Sequence, residues 1–397
     1  MPSDRLMPSN AADHRAYLDH ASTTPMRPEA TEAMLPYLSG HHGNPSGGHH
    51  ESRVARMAVE DARDQVALLL GAEPGEVVFT AGGTEADNLA VAGAWEAMAT
   101  TPEPPGALVC AAMEHHAVLN SCRAVARRTG AELREVRTGK DGIIDLDHLA
   151  EVCTGEVGLV SVMTVNNEIG TVQPVDQVAS MVRLLSPRAV MHTDAVQAVP
   201  WLDVGPISAV VDLVAVSAHK FGGPMGTGAL VVHKGTRLWP VTHGGGQERD
   251  RRSGTHNVAG VVGMAAALSV TVSGREETIG RATARRNRLG DGLLSTVAGT
   301  AETGLRENKV AGHLHLRFAG VESEALVILL DQAGVAVSAG AACASGATDA
   351  SHVLASMGLD HREAATGIRF SLGSTTTDAD IDQALAAVPG AVAQLRD

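Results

Sequence analysis

Between residues 52 and 70 the run SRVARMAVEDARDQVALLL places Val54, Ala58, Ala62, Val66 and Leu69 at helical spacing, with Gly71 behind it as a stop. The period then changes. Short apolar runs at 77–80, 107–112, 133–136, 159–165, 189–193, 213–217 and 228–233 read as strands, most of them separated by helical stretches such as 84–99 and 117–129. Short apolar strands alternating with helices predict an α/β fold, a mostly parallel sheet sandwiched by helices. Beyond about residue 275 the pattern predicts a long charged helix over 276–298. Strands near 313–318, 335–338 and 368–372 follow, with helices between them and a last helix over 377–395. This part reads as a smaller α+β domain. The expected division is a polar tail over 1–15, a large domain over 16–260 and a small C-terminal domain over 261–397.

Composition narrows the classes of function. A chain of 397 residues is long enough for two or three domains of about 150 residues each. Its net charge of −14, with no long basic block, argues against a nucleic-acid binder, which needs Lys and Arg to neutralise phosphates. The four cysteines, Cys110, Cys122, Cys153 and Cys343, lie far apart with no CxxC pair. A reducing, cytoplasmic compartment is therefore expected rather than a disulfide framework or a structural zinc site. The first fifteen residues contain no apolar stretch of the signal-peptide kind. Between Arg252 and Arg275 there are 22 residues without a charged side chain, but His256, Asn257, Ser269, Thr271 and several Gly and Ala among them predict a buried helix, not a membrane span.

In an open α/β sheet, ligands bind beyond the carboxyl ends of the strands. Here the loops at those ends are rich in glycine and polar residues: AGGTEADN, MEHHAV, NNEIG, HTDAVQ and SAHKFGGPMGTG. In the first, Gly82-Gly83-Thr84-Glu85 opens a predicted helix whose N–H groups suit a phosphate. Taken alone, it reads first as an ordinary glycine turn with Thr84 as N-cap. Lys220 directly follows an apolar strand, where desolvation would lower its pKa and make the amine a nucleophile toward an aldehyde. Read by itself, it could also be a lysine snorkelling at a sheet edge. Asp194 ends another strand with Gln197 three residues on, which suits either a partner for a protonated ring nitrogen or a helix cap. Together, a nucleophilic lysine, a strand-end carboxylate and a phosphate-binding helix start are what pyridoxal 5'-phosphate requires.

These segments resemble the cysteine desulfurases of the NifS/IscS kind, within the class V, fold-type I PLP-dependent aminotransferases. The likeness runs from Tyr17 nearly to the end and rests on YLDHASTTP, GNPSGGHH, TAGGTEADNLA, MEHHAVLN, NNEIGTVQP, HTDAVQ, SAHKFGGPMGTGAL, GGGQERDRRSGTHNVAG, AGAACASG and IRFSLG, in the family's order. The resemblance makes Lys220 the residue that bonds the cofactor's aldehyde. Asp194 would hold the pyridine nitrogen protonated, Gln197 and Asn167 would bond the phenolic-oxygen side, and His115 would stack over the ring and shuttle protons. Gly83, Thr84, Ser217 and His219 would carry the phosphate. Thr255 would reach that phosphate from the neighbouring subunit of a homodimer. Arg369 would clamp the substrate carboxylate, with Asn167 nearby.

The resemblance also makes Cys343 the thiolate that takes sulfur from L-cysteine as a persulfide, releasing L-alanine and passing the sulfur to an acceptor protein. That acceptor would be an iron–sulfur scaffold or a tRNA-thiolating enzyme. Two rivals stand beside it: a selenocysteine lyase or other β-eliminating lyase, for which Cys343 is less essential, and a non-catalytic assembly partner of the same fold. His41, His42, His49 and His50 bracket the GNPSGG loop without Cys or HExxH spacing, so no metal site is expected. Two departures from the family pattern stand out: Ser374 and Thr375 follow IRFSLG where relatives often carry a basic residue, and the cysteine loop has fewer Ser and Thr.

Overall fold

A computed structural model describes residues 14–340 and 351–397. Twelve strands appear in chain order: β1 (Ala16–Tyr17), β2 (Val77–Thr80), β3 (Ala107–Ala111), β4 (Glu132–Val136), β5 (Val157–Ser161), β6 (Val190–Asp194), β7 (Leu213–Ser217), β8 (Gly228–Val232), β9 (Thr300–Glu302), β10 (His313–Phe318), β11 (Val335–Ala336) and β12 (Gly367–Ser371). Seven of them form the main sheet in the order β2-β8-β7-β6-β5-β3-β4. All neighbours from β7 to β4 run parallel, whereas β8 is antiparallel to both β2 and β7. Every residue of β2, β3, β5, β7 and β8 is buried, as continuous apolar runs covered on both faces must be. Edge strand β4 (ELREV) keeps its charged residues toward solvent.

The strand positions follow the apolar runs to within a residue or two. The run expected over 159–165 ends its ladder at Ser161, although Val162 N and Thr164 N still donate to His192 O and Asp194 O. The helix expected over 84–99 is interrupted. Gly83–Asn88 passes through a π-helical turn, Leu89–Gly93, into Ala94–Ala99. At Gly93 the chain lets a loop come close, because Trp239 N donates to Gly93 O and a Cβ there would lie 2.5 Å from Trp239 O. Helix His50–Leu70 ends as its sequence predicts, with Gly71 at φ 69° donating back to Ala67 O and Leu68 O.

A separate core lies behind the antiparallel sheet β12-β10-β9. Alternation along β10 points Leu314, Leu316 and Phe318 into it, against Leu289 and Leu293 of helix Arg275–Thr296 and Ile381 and Val388 of helix Asp378–Arg396. Ala16 and Leu18 from the start of the described chain join this core, and β1 pairs parallel with β11. Helix Val258–Ser273 is the mostly buried helix expected from the uncharged segment. It packs on helices Pro28–Ser39 and His50–Leu70 and meets Arg275–Thr296 at a 68° bend, so residue 260 falls inside its first turn. Among the described residues no single helix is long and apolar enough to cross a membrane.

Candidate active site

The parallel strands β5, β6 and β7 end on one side of the sheet, and the polar residues after them converge there. Along β6 (VMHTD) the two-residue period puts His192 and Asp194 on one face. Asp194 is buried, and its Oδ1 accepts a hydrogen bond from Val196 N at 2.8 Å. Asp87 reaches the same place from helix Gly83–Asn88, and the ligand atoms of Asp87, His115 and Asp194 all lie within 4.8 Å of one another. Glu114 lies near them, with its Oε1 accepting from Met163 N at 2.6 Å. Burial pushes Asp194 up to about 6. Burial first, then the neighbouring acids, raise Asp87 and Glu114 well above the usual carboxylate range.

His115 caps helix His116–Thr129, accepting from Ala117 N at 3.1 Å. Burial, reinforced by the Lys220 ammonium, lowers its pKa to about 4, so the imidazole is neutral near pH 7. Two acids and an imidazole at this spacing are chemically suited to a divalent cation as well. The Lys220 ammonium nearby opposes a doubly charged ion there.

After β7 the chain enters a single 3-10 turn, Ala218–Lys220, which delivers Lys220 beside the floor. Its Nζ donates to Ala21 O at 2.6 Å and Ser22 O at 2.8 Å. Gln197 Nε2 donates to the same Ala21 carbonyl at 2.7 Å, so the two residues meet at one atom. His219 Nδ1 lies 3.2 Å from Thr23 Oγ1, and burial and Lys220 lower its pKa to about 4. At the cradle, a Cβ on Gly83 would lie 2.8 Å from Val196 Cγ2 and 3.3 Å from Ser217 Cβ, so only glycine fits. Ser217 Oγ is buried beside it with no hydrogen-bond partner among the described residues. Thr84, at the first turn of the helix, is exposed. A helix start, an unpartnered hydroxyl and a histidine make a site for an anion, and a buried carboxylate and an amine complete it.

Arg369 on β12 reaches this site from the second core. Its Nη1 donates to Asn167 O at 2.8 Å, and its Nη2 to Asp19 Oδ1 and Ser22 Oγ, each at 2.8 Å. Its Nε is buried without a partner among the described residues. Asn167 and Arg369 are thus brought together. The segment from Asp19 to Thr24 is a hub that residue-by-residue reading of the sequence passed over. It bonds Arg369, Lys220, Gln197 and His219, and its only signal was the DHASTT motif near the N-terminus.

Thr255 stands apart. It is exposed, and no hydrogen bond among the described residues joins it to the Lys220 group. The loop that carries it is pinned on both sides. Arg252 pairs with Glu85 at 2.7 and 3.1 Å, and buried Glu248 accepts from Arg63 at 2.8 and 2.9 Å, from Phe79 N at 3.1 Å and pairs with His256 Nε2 at 2.7 Å. Glu248, Arg249 and Asp250 all have positive φ, 50°, 56° and 63°. Cys343 lies outside the described residues. Cys110, Cys122 and Cys153 are free and buried.

Residues 16–384 match the model of the aminotransferase class-V family. An IscS-like cysteine desulfurase of Mycobacterium tuberculosis is 43% identical over 384 residues, covering 96% of this chain and 97% of that protein. The cysteine desulfurase IscS of Dictyoglomus turgidum is 38% identical, covering 96% and 95%. A solved structure of a NifS-like protein superposes with a TM-score of 0.89 at 32% identity, covering 96% of this chain and all, 100%, of that one.

Proposed function

We propose that this chain, which belongs to the class-V aminotransferase family and is a cysteine desulfurase, converts L-cysteine to L-alanine with the residues gathered around Lys220. The observation that carries this assignment is the meeting of Lys220 and Gln197 on the Ala21 carbonyl, beside a buried, cation-seeking Asp194. The donor set fits pyridoxal 5'-phosphate: Gly83, Thr84, Ser217 and His219 for its phosphate, Asp194 for its ring nitrogen, Gln197 and Asn167 for its phenolic-oxygen side. When bound, that group supplies an electron sink for the pair released as the substrate's Cα proton leaves.

Lys220 would hold the cofactor through its aldehyde carbon, and its Nζ would hold or return the substrate's Cα proton. Neutral His115 would take and give protons beside the ring. Arg369 orients the substrate carboxylate, using the Nε that has no partner among the described residues and exchanging contacts with Asp19 and Ser22. The Cys343 thiolate attacks the substrate sulfur. An S–S bond forms, the substrate C–S bond breaks, and the products are a Cys343 persulfide and alanine. The sulfur then passes to an acceptor protein, an iron–sulfur scaffold or a tRNA-thiolating enzyme.

Thr255 acts on the partner's phosphate site in a homodimer. The protein works in the cytoplasm, where the thiols stay reduced. The test is direct. Purified protein with PLP should gain visible absorbance that borohydride erases and Lys220→Ala lacks. With a thiol reductant present to release the persulfide sulfur, cysteine turnover should yield equal sulfide and alanine, and Cys343→Ala should keep the colour but lose sulfide. Normal sulfide release by Cys343→Ala would refute the thiol assignment.

A further inference from the structure

Beneath Asp194 lies a row of buried polar groups that the reaction above leaves unused. Asp87 Oδ1 and His192 Nε2 lie 3.5 Å apart, their side chains 2% and 0% exposed, and neither atom has a hydrogen-bond partner among the described residues. His192 Nδ1 lies 2.8 Å from Ser161 Oγ, its register partner on β5. Because His192 and Asp194 share one face of β6, Asp87 adjoins both.

Two facing atoms that both lack a partner are satisfied together if one carries the proton and the other accepts it. Burial lowers His192 to about 3, so the imidazole is neutral. The groups facing Asp87 are then neutral His192, neutral His115, and the acids Asp194 and Glu114. Three carboxyls this close cannot all ionise. Asp194 has the Val196 N–H and the Lys220 ammonium to favour its charge. The proton therefore belongs on Asp87 and the charge on Asp194.

We propose that Asp87 is a positioning residue: its carboxylic acid donates to His192 Nε2, His192 Nδ1–H donates to Ser161 Oγ, and this neutral chain leaves Asp194 as the charged partner for the cofactor's ring nitrogen. The functional half rests on the cofactor reading given above, whereas the hydrogen-bonded chain is a property of the protein alone.

Infrared difference spectra of cofactor-free wild type against Asp87→Asn near neutral pH should show loss of a neutral carboxylic-acid carbonyl band. Loss of an ionised-carboxylate band instead overturns the proposal. Nitrogen NMR of histidine-labelled wild type, with His192 assigned by its absence in His192→Gln, should show the Nδ1–H tautomer, and an Nε2–H or cationic ring overturns it without need of an Asp87 variant. Asp87→Asn, which keeps a neutral donor, should hold PLP about as well as wild type. Asp87→Leu should hold it roughly tenfold more weakly, and unchanged affinity in Asp87→Leu overturns the positioning role. If wild type itself fails to hold PLP, the cofactor reading fails, and the two spectroscopic results still decide the hydrogen-bonded chain.

Discussion

Glu248 and Asp194 are both buried carboxylates, yet their surroundings drive them in opposite directions. Glu248 is surrounded by donors: His256, the two Nη nitrogens of Arg63 and a backbone N–H hold it down at about 2, against a desolvation that alone would raise it. Asp194 is surrounded by other acids, with one backbone donor and the Lys220 charge, and burial prevails, at about 6. Burial alone therefore does not decide the charge of a group; what it is buried with does. The first arrangement locks a loop, and the second stores a charge that a cationic ligand can complete.

Truncating each acid should separate the two. Removing Glu248 takes the bidentate partner from the Arg63 guanidinium, whose side chain is 3% exposed and keeps Glu60 and Val77 O, so Glu248→Ala should lose about 3–5 kcal/mol in a denaturant titration. A loss below about 1 kcal/mol would show that the loop is not held by this pair. Asp194→Asn should go the other way in the cofactor-free protein, gaining about 1–3 kcal/mol by removing a poorly compensated charge. The same change should cost the loaded enzyme about 10²–10³-fold in turnover. A variant that is both less stable and fully active would undo the comparison.

Acid provides a sharper contrast. Glu248 is depressed in the folded state, so its stabilisation is complete above the ordinary carboxylate range and is lost as pH falls through about 2. The stability gap between wild type and Glu248→Gln should therefore close only in that acid window. Asp194 is raised, so the folded protein takes up its proton as pH falls through about 6, which favours the cofactor-free fold and removes the partner of a ring nitrogen. PLP affinity should fall between pH 7 and 5 while the Glu248 contribution stays constant, and affinity that is flat across this range would contradict the role given to Asp194. The smallest effect concerns the loop that Glu248 pins. Arg249 has φ 56°, so Arg249→Gly should stabilise by about 0.5 kcal/mol, read as a small rise in Tm.

Much of this was legible in the chain because it is local. Continuous apolar runs such as LVAVS and ALVCA specify buried strands by composition alone. A polar residue just past such a run must lie at the strand's carboxyl end, which is how Lys220 and Asp194 stood out. The π turn at Leu89–Gly93 was not legible, because it answers to a loop around Trp239 nearly 150 residues on.

What the sequence determined by itself, then, is the order of strands and helices and the residues that stand at the strand ends, because those depend on periodicity and on neighbours a few positions away. Tertiary structure alone decided which charges meet. Asp19 and Ser22 reach Arg369 across 350 and 347 positions, Arg63 finds Glu248 across 185, and Asp87 comes to rest on His192. Each of these residue types, read in isolation, suits a solvated surface as well as a site. Only the exclusion of water by the packed sheet forces a carboxylate to take a proton or find a partner, and so fixes what its chemistry can be.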